Sequence, residues 1–280
     1  MYIRFLVPIN FEPYTINAIN YCLLLAQKFQ SEITLLHAYT PYLEEDQNDE
    51  PYNYPKITSQ QEAGNELEKI KQQAIADSLS EGIIIKTKII EGYPEDAIPE
   101  FCNSYHPDLV IMGTKSKGET IKELLGSVTL DIINSIHFPV LAVPKDYDLN
   151  LNKLQNILFL TDFCQCEYTS LHKLIRLIMS FDTMIHSVQY CNGGKEKADI
   201  DLLNEYAEYC TSTYRNQRMQ SEYIYGEDIL QAANEYIKNT DIDLLAITRK
   251  KRNIISKLLH PSLTKTMLFN VDIPMLFFHQ

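Results

Sequence analysis

The 280-residue chain has no tryptophan, nine glycines, six cysteines and a shortage of positive charge, with 25 Lys+Arg against 37 Asp+Glu. Its strongest apolar stretches, residues 154–160 and 275–278, fall far short of the roughly 20 residues a membrane helix needs, so no spanning segment is expected. The opening residues 1–8 lack a basic region followed by an apolar stretch and a cleavage site, and a cytoplasmic location is expected. Six cysteines, at 22, 102, 164, 166, 191 and 210, are too sparse for a disulfide scaffold, so reduced thiols are expected. The formal charge of −12 has the wrong sign for a general binder of phosphate backbones, which argues against nucleic acid as a partner. With 45% hydrophobic residues, disorder, collagen and coiled-coil arrays are excluded, and the length suits about two domains with real cores.

What is present is alternation. Short β-branched runs predict strands at 2–8, 33–37, 83–90, 108–112 and 139–143, separated by predicted helices at 13–29, 59–80, 94–105 and 127–136. In the first helix Ile16, Ile19, Leu23, Ala26 and Phe29 share one face, and Ser59 is placed to cap the second. Residues 39–56, with Pro41, Pro51, Pro55, an acidic run and Tyr39, Tyr42, Tyr52 and Tyr54, read as a surface loop, either a lid or simply a solvated excursion.

After a polar, turn-prone linker at 147–152 the order repeats. Strands are predicted at 156–160, 184–190, 220–225, 242–247 and 273–278, with helices at 166–179, 198–213, 227–238 and 262–269. Val7-Pro8-Ile9-Asn10-Phe11 aligns with Phe159-Leu160-Thr161-Asp162-Phe163, and Asp108-Leu109-Val110-Ile111-Met112 with Asp243-Leu244-Leu245-Ala246-Ile247. Phe138-Pro139-Val140-Leu141 likewise matches Ile273-Pro274-Met275-Leu276. The sequence therefore reads as one fold written twice, residues 1–146 and 153–280. The copies differ in charge: residues 1–146 carry a net −10 and residues 147–280 a net −2.

The segment richest in chemistry is Ile111-Met112-Gly113-Thr114-Lys115-Ser116-Lys117-Gly118, followed by Leu125-Gly126-Ser127-Val128 at a helix start. A glycine-containing loop that leaves a strand and ends at a helix N-terminus presents N–H groups and the positive dipole end to a phosphate; equally, the glycines can serve only a strand exit and a tight helix entry. No Ser-His-Asp, paired-carboxylate or HExxH arrangement and no Gly-x4-Gly-Lys-Ser/Thr loop is present, so no catalytic residues are assigned.

These motifs, with the opening Val-Pro-Ile strand, Leu35-Leu36-His37-Ala38 and the closing Pro-Val-Leu-Ala-Val-Pro, resemble the universal stress proteins in their tandem form. The resemblance implies an α/β fold of two tandem open five-stranded parallel sheets, Rossmann-like and similar to the adenine nucleotide alpha hydrolases, order 3-2-1-4-5, with helices on both faces. It also implies a stress-response binding or regulatory module that takes ATP or AMP in the first domain; the alternatives are a ligand-free protein-interaction module with unknown partners, or a slow nucleotide hydrolase. The site residues carried over are Pro8, Ile9, Asn10, Ala38, Met112, Gly113, Ser116, Gly126, Ser127 and Val128. The family pattern Gly-x2-Gly-x9-Gly-Ser/Thr is kept in spacing, but Ser116 replaces the second glycine, adding a Cβ near the phosphate path, and Asn10 replaces the usual Asp. Family members pair through their last strands, which implies an intramolecular pseudo-dimer here, with a higher oligomer still open.

In the second domain the same spacing gives Thr248, Lys251, Pro261 and Ser262, without glycine, so the nucleotide site is expected to be lost although Asp162 survives. In its place stands Arg249-Lys250-Lys251-Arg252, either a solvated face or a contact for a phosphate, a nucleic-acid end or an acidic partner. Cys164-x-Cys166 with His172 has poor spacing for zinc and reads better as local packing or loop chemistry; no metal is expected. His37 and His186 read as ordinary hydrogen-bonded residues.

Overall fold

The computed structural model describes residues 2–40, 59–77, 82–114, 128–147, 154–192, 198–249 and 261–279. The chain divides into two compact units, Met1–Leu149 and Asn150–Gln280. None of the described helices is long and apolar enough to cross a membrane.

In the first unit the order is β1 (Tyr2–Pro8), α1 (Pro13–Ala26), β2 (Gln30–Tyr39), α2 (Gln60–Asp77), β3 (Ile83–Glu91), α3 (Pro94–Tyr105), β4 (Leu109–Thr114), α4 (Val128–Ser135) and β5 (Val140–Pro144). The strands pair in parallel in the order β3-β2-β1-β4-β5. α1 packs with α2 on one face and α3 with α4 on the other. Central strands are therefore covered on both sides, and Phe5, Leu6, Val7, Val110, Ile111 and Val143 are wholly buried, each side chain contributing about 1.5–3 kcal/mol of burial. β3 borders only β2, and its half-exposed run includes Lys86 and Lys88, charges that discourage further strand pairing.

Local chemistry sets the boundaries. Pro13 opens α1 at a position that needs no N–H donor, and the Ser59 hydroxyl accepts from Glu62 N (3.2 Å) to cap α2. The one-faced reading of α1 is corrected: Ile16 is 46% exposed, whereas Ala18, Cys22, Leu24 and Leu25 are buried. The helix lies over β1, β4 and β5 with α2 beside it, so its second half is enclosed beyond a single stripe. Phe29 falls in the turn after the helix.

The second unit runs β6 (Asn156–Leu160), α5 (Tyr168–Ile178), β7 (Met184–Asn192), α6 (Ile200–Thr213), β8 (Arg218–Gly226), α7 (Ile229–Asn239), β9 (Leu244–Arg249), α8 (Pro261–Asn270) and β10 (Met275–His279). Its parallel strands follow the order β8-β7-β6-β9-β10. The helix predicted to start at residue 166 begins instead at Tyr168, after a 3-10 turn at Gln165–Glu167.

The two units repeat each other at positions that periodicity does not reveal. Among the described residues, the non-glycine residues with left-handed backbone are Phe11 and Phe163 after the first strand of each unit, and His106 and Asp241 before the fourth. Asp108 accepts from Arg4 N through its Oδ2 (2.9 Å), and Asp243 accepts from Asn156 N in the matching place (2.9 Å). Both aspartates also donate their own N–H back to the neighbouring strand, to Arg4 O (2.8 Å) and Asn156 O (2.9 Å). Each aspartate thus braces the start of the strand pair at which the strand order reverses, β1 with β4 and β6 with β9.

Candidate functional site

In open sheets of this order a ligand crevice forms at the carboxyl ends of the strands, where the order reverses. In the first unit that point lies between β1 and β4. Leu6 is opposite Val110 and Pro8 opposite Leu36, so continuing the register sets Ile9 level with both His37 and Gly113. Pro8, Ile9, Asn10, Met112 and Gly113 thereby meet at one end of the sheet, with Ala38 one residue beyond His37 and Val128 opening α4. Ser116, Gly126 and Ser127 lie outside the described residues.

Asn10 is already engaged. Its Oδ1 accepts from Glu12 N (3.1 Å) and Thr15 Oγ1 (2.7 Å), and its Nδ2 donates to the Tyr14 hydroxyl. The side chain closes the turn into α1, whose own N-cap residue Glu12 supplies no capping oxygen. Among the described residues, one amide N–H of Asn10 has no hydrogen-bond partner. The sequence held a signal for this turn, since Asn10 precedes Pro13 by three residues, but not for the contact with Tyr14.

Gly113 is fixed from two directions. A Cβ built there would lie 2.4 Å from the Tyr14 carbonyl oxygen and 2.8 Å from both its carbonyl carbon and Cδ2, so only glycine lets the first turn of α1 approach β4. Its own carbonyl accepts from Thr129 Oγ1 of α4 (3.1 Å). Gly113 therefore has a packing task that operates with or without a phosphate.

His37 completes the row. Its Nδ1 faces Ile9 O (2.8 Å), its ring leans on Phe11 (4.5 Å between centroids), and its buried Nε2 has no hydrogen-bond partner among the described residues. The carbonyl fixes the proton on Nδ1 and leaves Nε2 an unused acceptor. Burial holds the His37 pKa below its ordinary 6.5, with the Ile9 contact opposing, and His186 is lowered by burial against the opposing charge of Glu222. The unfolded chain then takes up these protons first on acidification. The stability they contribute is present in full above pH 6.5 and is lost below it, at up to roughly 1.4 kcal/mol per pH unit for His37. We expect His37→Gln, which installs the residue found at the matching position 189, to flatten the decline in urea midpoint between pH 7.5 and 5.5; an unchanged slope would remove His37 as its source.

The second unit keeps the frame and changes the contents. Thr248 occupies the position of Gly113 and Thr264 that of Thr129, and neither buried hydroxyl has a hydrogen-bond partner among the described residues. The position of Thr15 is taken by Glu167, only 1% exposed, whose Oε2 accepts from Thr161 Oγ1 (2.5 Å) and from Asp162 N (2.8 Å). The fold of the turn that carries the surviving acid, Asp162, is thus held by a buried carboxylate that sequence reading passed over. Phe163, Tyr206 and Tyr223 pack around it, with ring centroids of Phe163 and Tyr206 4.6 Å apart.

Two further expectations meet the structure here. The expectation of reduced thiols is corrected for Cys164 and Cys166, which form a disulfide; a spacing of two lets the sulfurs meet inside one turn. His172 sits against Tyr214 rather than with them (6.3 Å between centroids). Of the basic run, Arg249 is half-buried beside His279, while Lys250, Lys251 and Arg252 lie outside the described residues, as do Tyr42, Tyr52 and Tyr54.

Residues 1–144 match the model of the universal stress protein family. A universal stress protein of Methanocaldococcus jannaschii is 26% identical over 147 residues, covering 52% of this chain and 84% of that protein. A second from the same organism is 34% identical over 85 residues, 30% of this chain and 50% of that protein. The crystal structure of a universal stress protein from Archaeoglobus fulgidus superposes with a TM-score of 0.74 at 16% identity, covering 99% of this chain and 96% of the other, a likeness of fold.

Proposed function

The chain belongs to the universal stress protein family, and on that premise we propose that it is a stress-response binding module whose first unit takes an adenine nucleotide, ATP or AMP. The observation that carries this reading is the switch point between β1 and β4, where Gly113 stands near the end of β4 and is hydrogen-bonded to α4 through Thr129, and where Asn10 has one amide donor with no partner among the described residues. An adenine or ribose edge offers acceptors for such a donor, and the start of α4 offers a phosphate its dipole. Ser116, Gly126 and Ser127 belong to this site on the sequence pattern alone. Residues 153–280 are, in the same reading, a second domain of the family that has given up the nucleotide, with Thr248 and Pro261 in place of glycines and 147–152 as linker.

A second reading, a ligand-free interaction module, is favoured by one specific observation: the Asn10 oxygen is doubly occupied within its own turn and Tyr14 rests on Gly113.

Denaturing the purified protein and identifying what it releases by chromatography and mass separates the two. We expect ATP or AMP near one per chain. If nucleotide is added at about a hundredfold over Kd, the first unit should gain about 2.7 kcal/mol, a rise in melting temperature of several degrees. Gly126→Val should abolish both. No released nucleotide and an unmoved transition would select the ligand-free module.

A further inference from the structure

Among the six cysteines the sulfurs differ sharply in what they can do. Cys22, Cys102 and Cys210 are buried, and burial raises their thiols, Cys102 to about 12 and Cys210 to about 11, so they stay protonated and inert. Cys164 is half-buried and Cys166 exposed, and they are bonded to each other. The bond closes a loop of three residues within one turn, too short to restrain the unfolded chain much, and it joins no two elements of the fold. A staple would be placed elsewhere. Its location is instead the connection between β6 and α5, with left-handed Phe163 before it and buried Glu167 directly after it.

We propose that Cys164 and Cys166 are a thiol–disulfide exchange site for low-molecular-weight thiols and their disulfides, and that its state is transmitted to the turn carrying Asp162. A thiolate attacks the exposed Cys166 sulfur; the S–S bond breaks and the Cys164 sulfur leaves as thiolate, taking a proton from water. A second thiolate then attacks the small-molecule sulfur of the mixed disulfide, releasing the small disulfide and the Cys166 thiolate, which is protonated in turn. Two small thiols are oxidised, and the protein disulfide is reduced to two thiols. Closure is the reverse, with the small disulfide as oxidant. Cys166 is exposed in the 3-10 turn that leads into α5, within reach of a small thiol or disulfide, so both directions are sterically accessible.

The consequence follows from what the turn holds. Glu167, adjacent to Cys166, accepts from Thr161 Oγ1 and Asp162 N, and Thr161 Oγ1 in turn accepts from Phe163 N (3.0 Å). Opening the small ring frees the backbone between Cys164 and Glu167, loosening the carboxylate that fixes residues 161–163.

The full chain is equilibrated in reduced and oxidised glutathione at graded ratios, quenched with acid, alkylated and digested. One tryptic peptide, residues 154–173, carries both cysteines and no other. We expect it to pass from unlabelled to doubly labelled in a single transition as reduced glutathione rises, while Cys22, Cys102 and Cys210 do not respond. Cys164→Ser should trap glutathione on Cys166. Amide exchange at Asp162 and Phe163 should quicken roughly tenfold in the reduced protein, and the double variant Cys164→Ser, Cys166→Ser should show that faster rate in every buffer. Double labelling at all ratios, or opening only where the protein unfolds, would overturn the exchange site. Equal amide exchange in both states would overturn its transmission to the turn.

Discussion

Gly113→Ala is expected to cost the first unit about 3 kcal/mol, the upper end of what overpacking does. The reason lies in what the new Cβ would meet. The atoms within 2.8 Å include the Tyr14 carbonyl carbon and oxygen, which are backbone and cannot rotate away as a side-chain tip would. Moving them means moving the first turn of α1, which Asn10 ties to the end of β1 through Glu12 N, Tyr14 and Thr15. At an m-value of about 1–3 kcal/mol/M in urea, the midpoint should fall by about 1 M or more. The measurement is made without nucleotide, because this glycine also lies in the loop pattern of the family and a loss of binding would not separate the two roles. A midpoint within about 0.2 M of the parent would mean that α1 yields easily, and that the approach of Tyr14 to Gly113 is not a tight one.

In the second unit the comparable effect is expected from Glu167→Ala, about 3 kcal/mol or more. The carboxylate is 1% exposed and receives both the Thr161 hydroxyl and the Asp162 N–H. Removing it strands one buried and one part-buried donor, the buried one costing about 1–3 kcal/mol and the other up to that. Glu167→Gln keeps an acceptor oxygen and should lose less than half as much. Urea unfolding followed by far-ultraviolet circular dichroism measures both; near-equal losses for the two substitutions would show that the charge, not the acceptor, holds the turn. A loss under about 1 kcal/mol for alanine would mean that the turn around Asp162 is held by its aromatic packing against Tyr206 and Tyr223 instead.

The strands and their repetition were legible because both rest on patterns that run along the chain, whereas the strand order followed from the resemblance to the universal stress proteins. Buried parallel strands read as β-branched runs, and Asp108 and Asp243 mark the same step in each copy. α3 was predicted at 94–105 and found there because Pro94 and the acidic Glu95 and Asp96 mark its start. The contents of the crevices were less legible. That Tyr14 would sit on Gly113 depends on two positions 99 residues apart, and no local preference of either encodes the contact. Glu167 falls at the start of the helix predicted from residue 166, where nothing local marks it as buried; only the pairing of β6 with β7 and β9 shows that its surroundings are buried. Ile16 was assigned inward because periodicity gives a face but not how widely neighbours wrap it.

The two aspartate braces have a bearing on how such a chain can change over time. Asp108 and Asp243 fasten each central strand pair at its amino end, on backbone groups that any replacement residue except proline would still provide, Arg4 in one copy and Asn156 in the other. Register is thereby secured at the end of the sheet remote from the crevice. Glycine can become threonine, threonine can become glutamate and tyrosine can become cysteine at the carboxyl ends, as positions 113 and 248, 15 and 167, and 14 and 166 illustrate, without the strands losing their alignment. A chain built of two such units can vary the contents of one crevice while the strand alignment of both is kept.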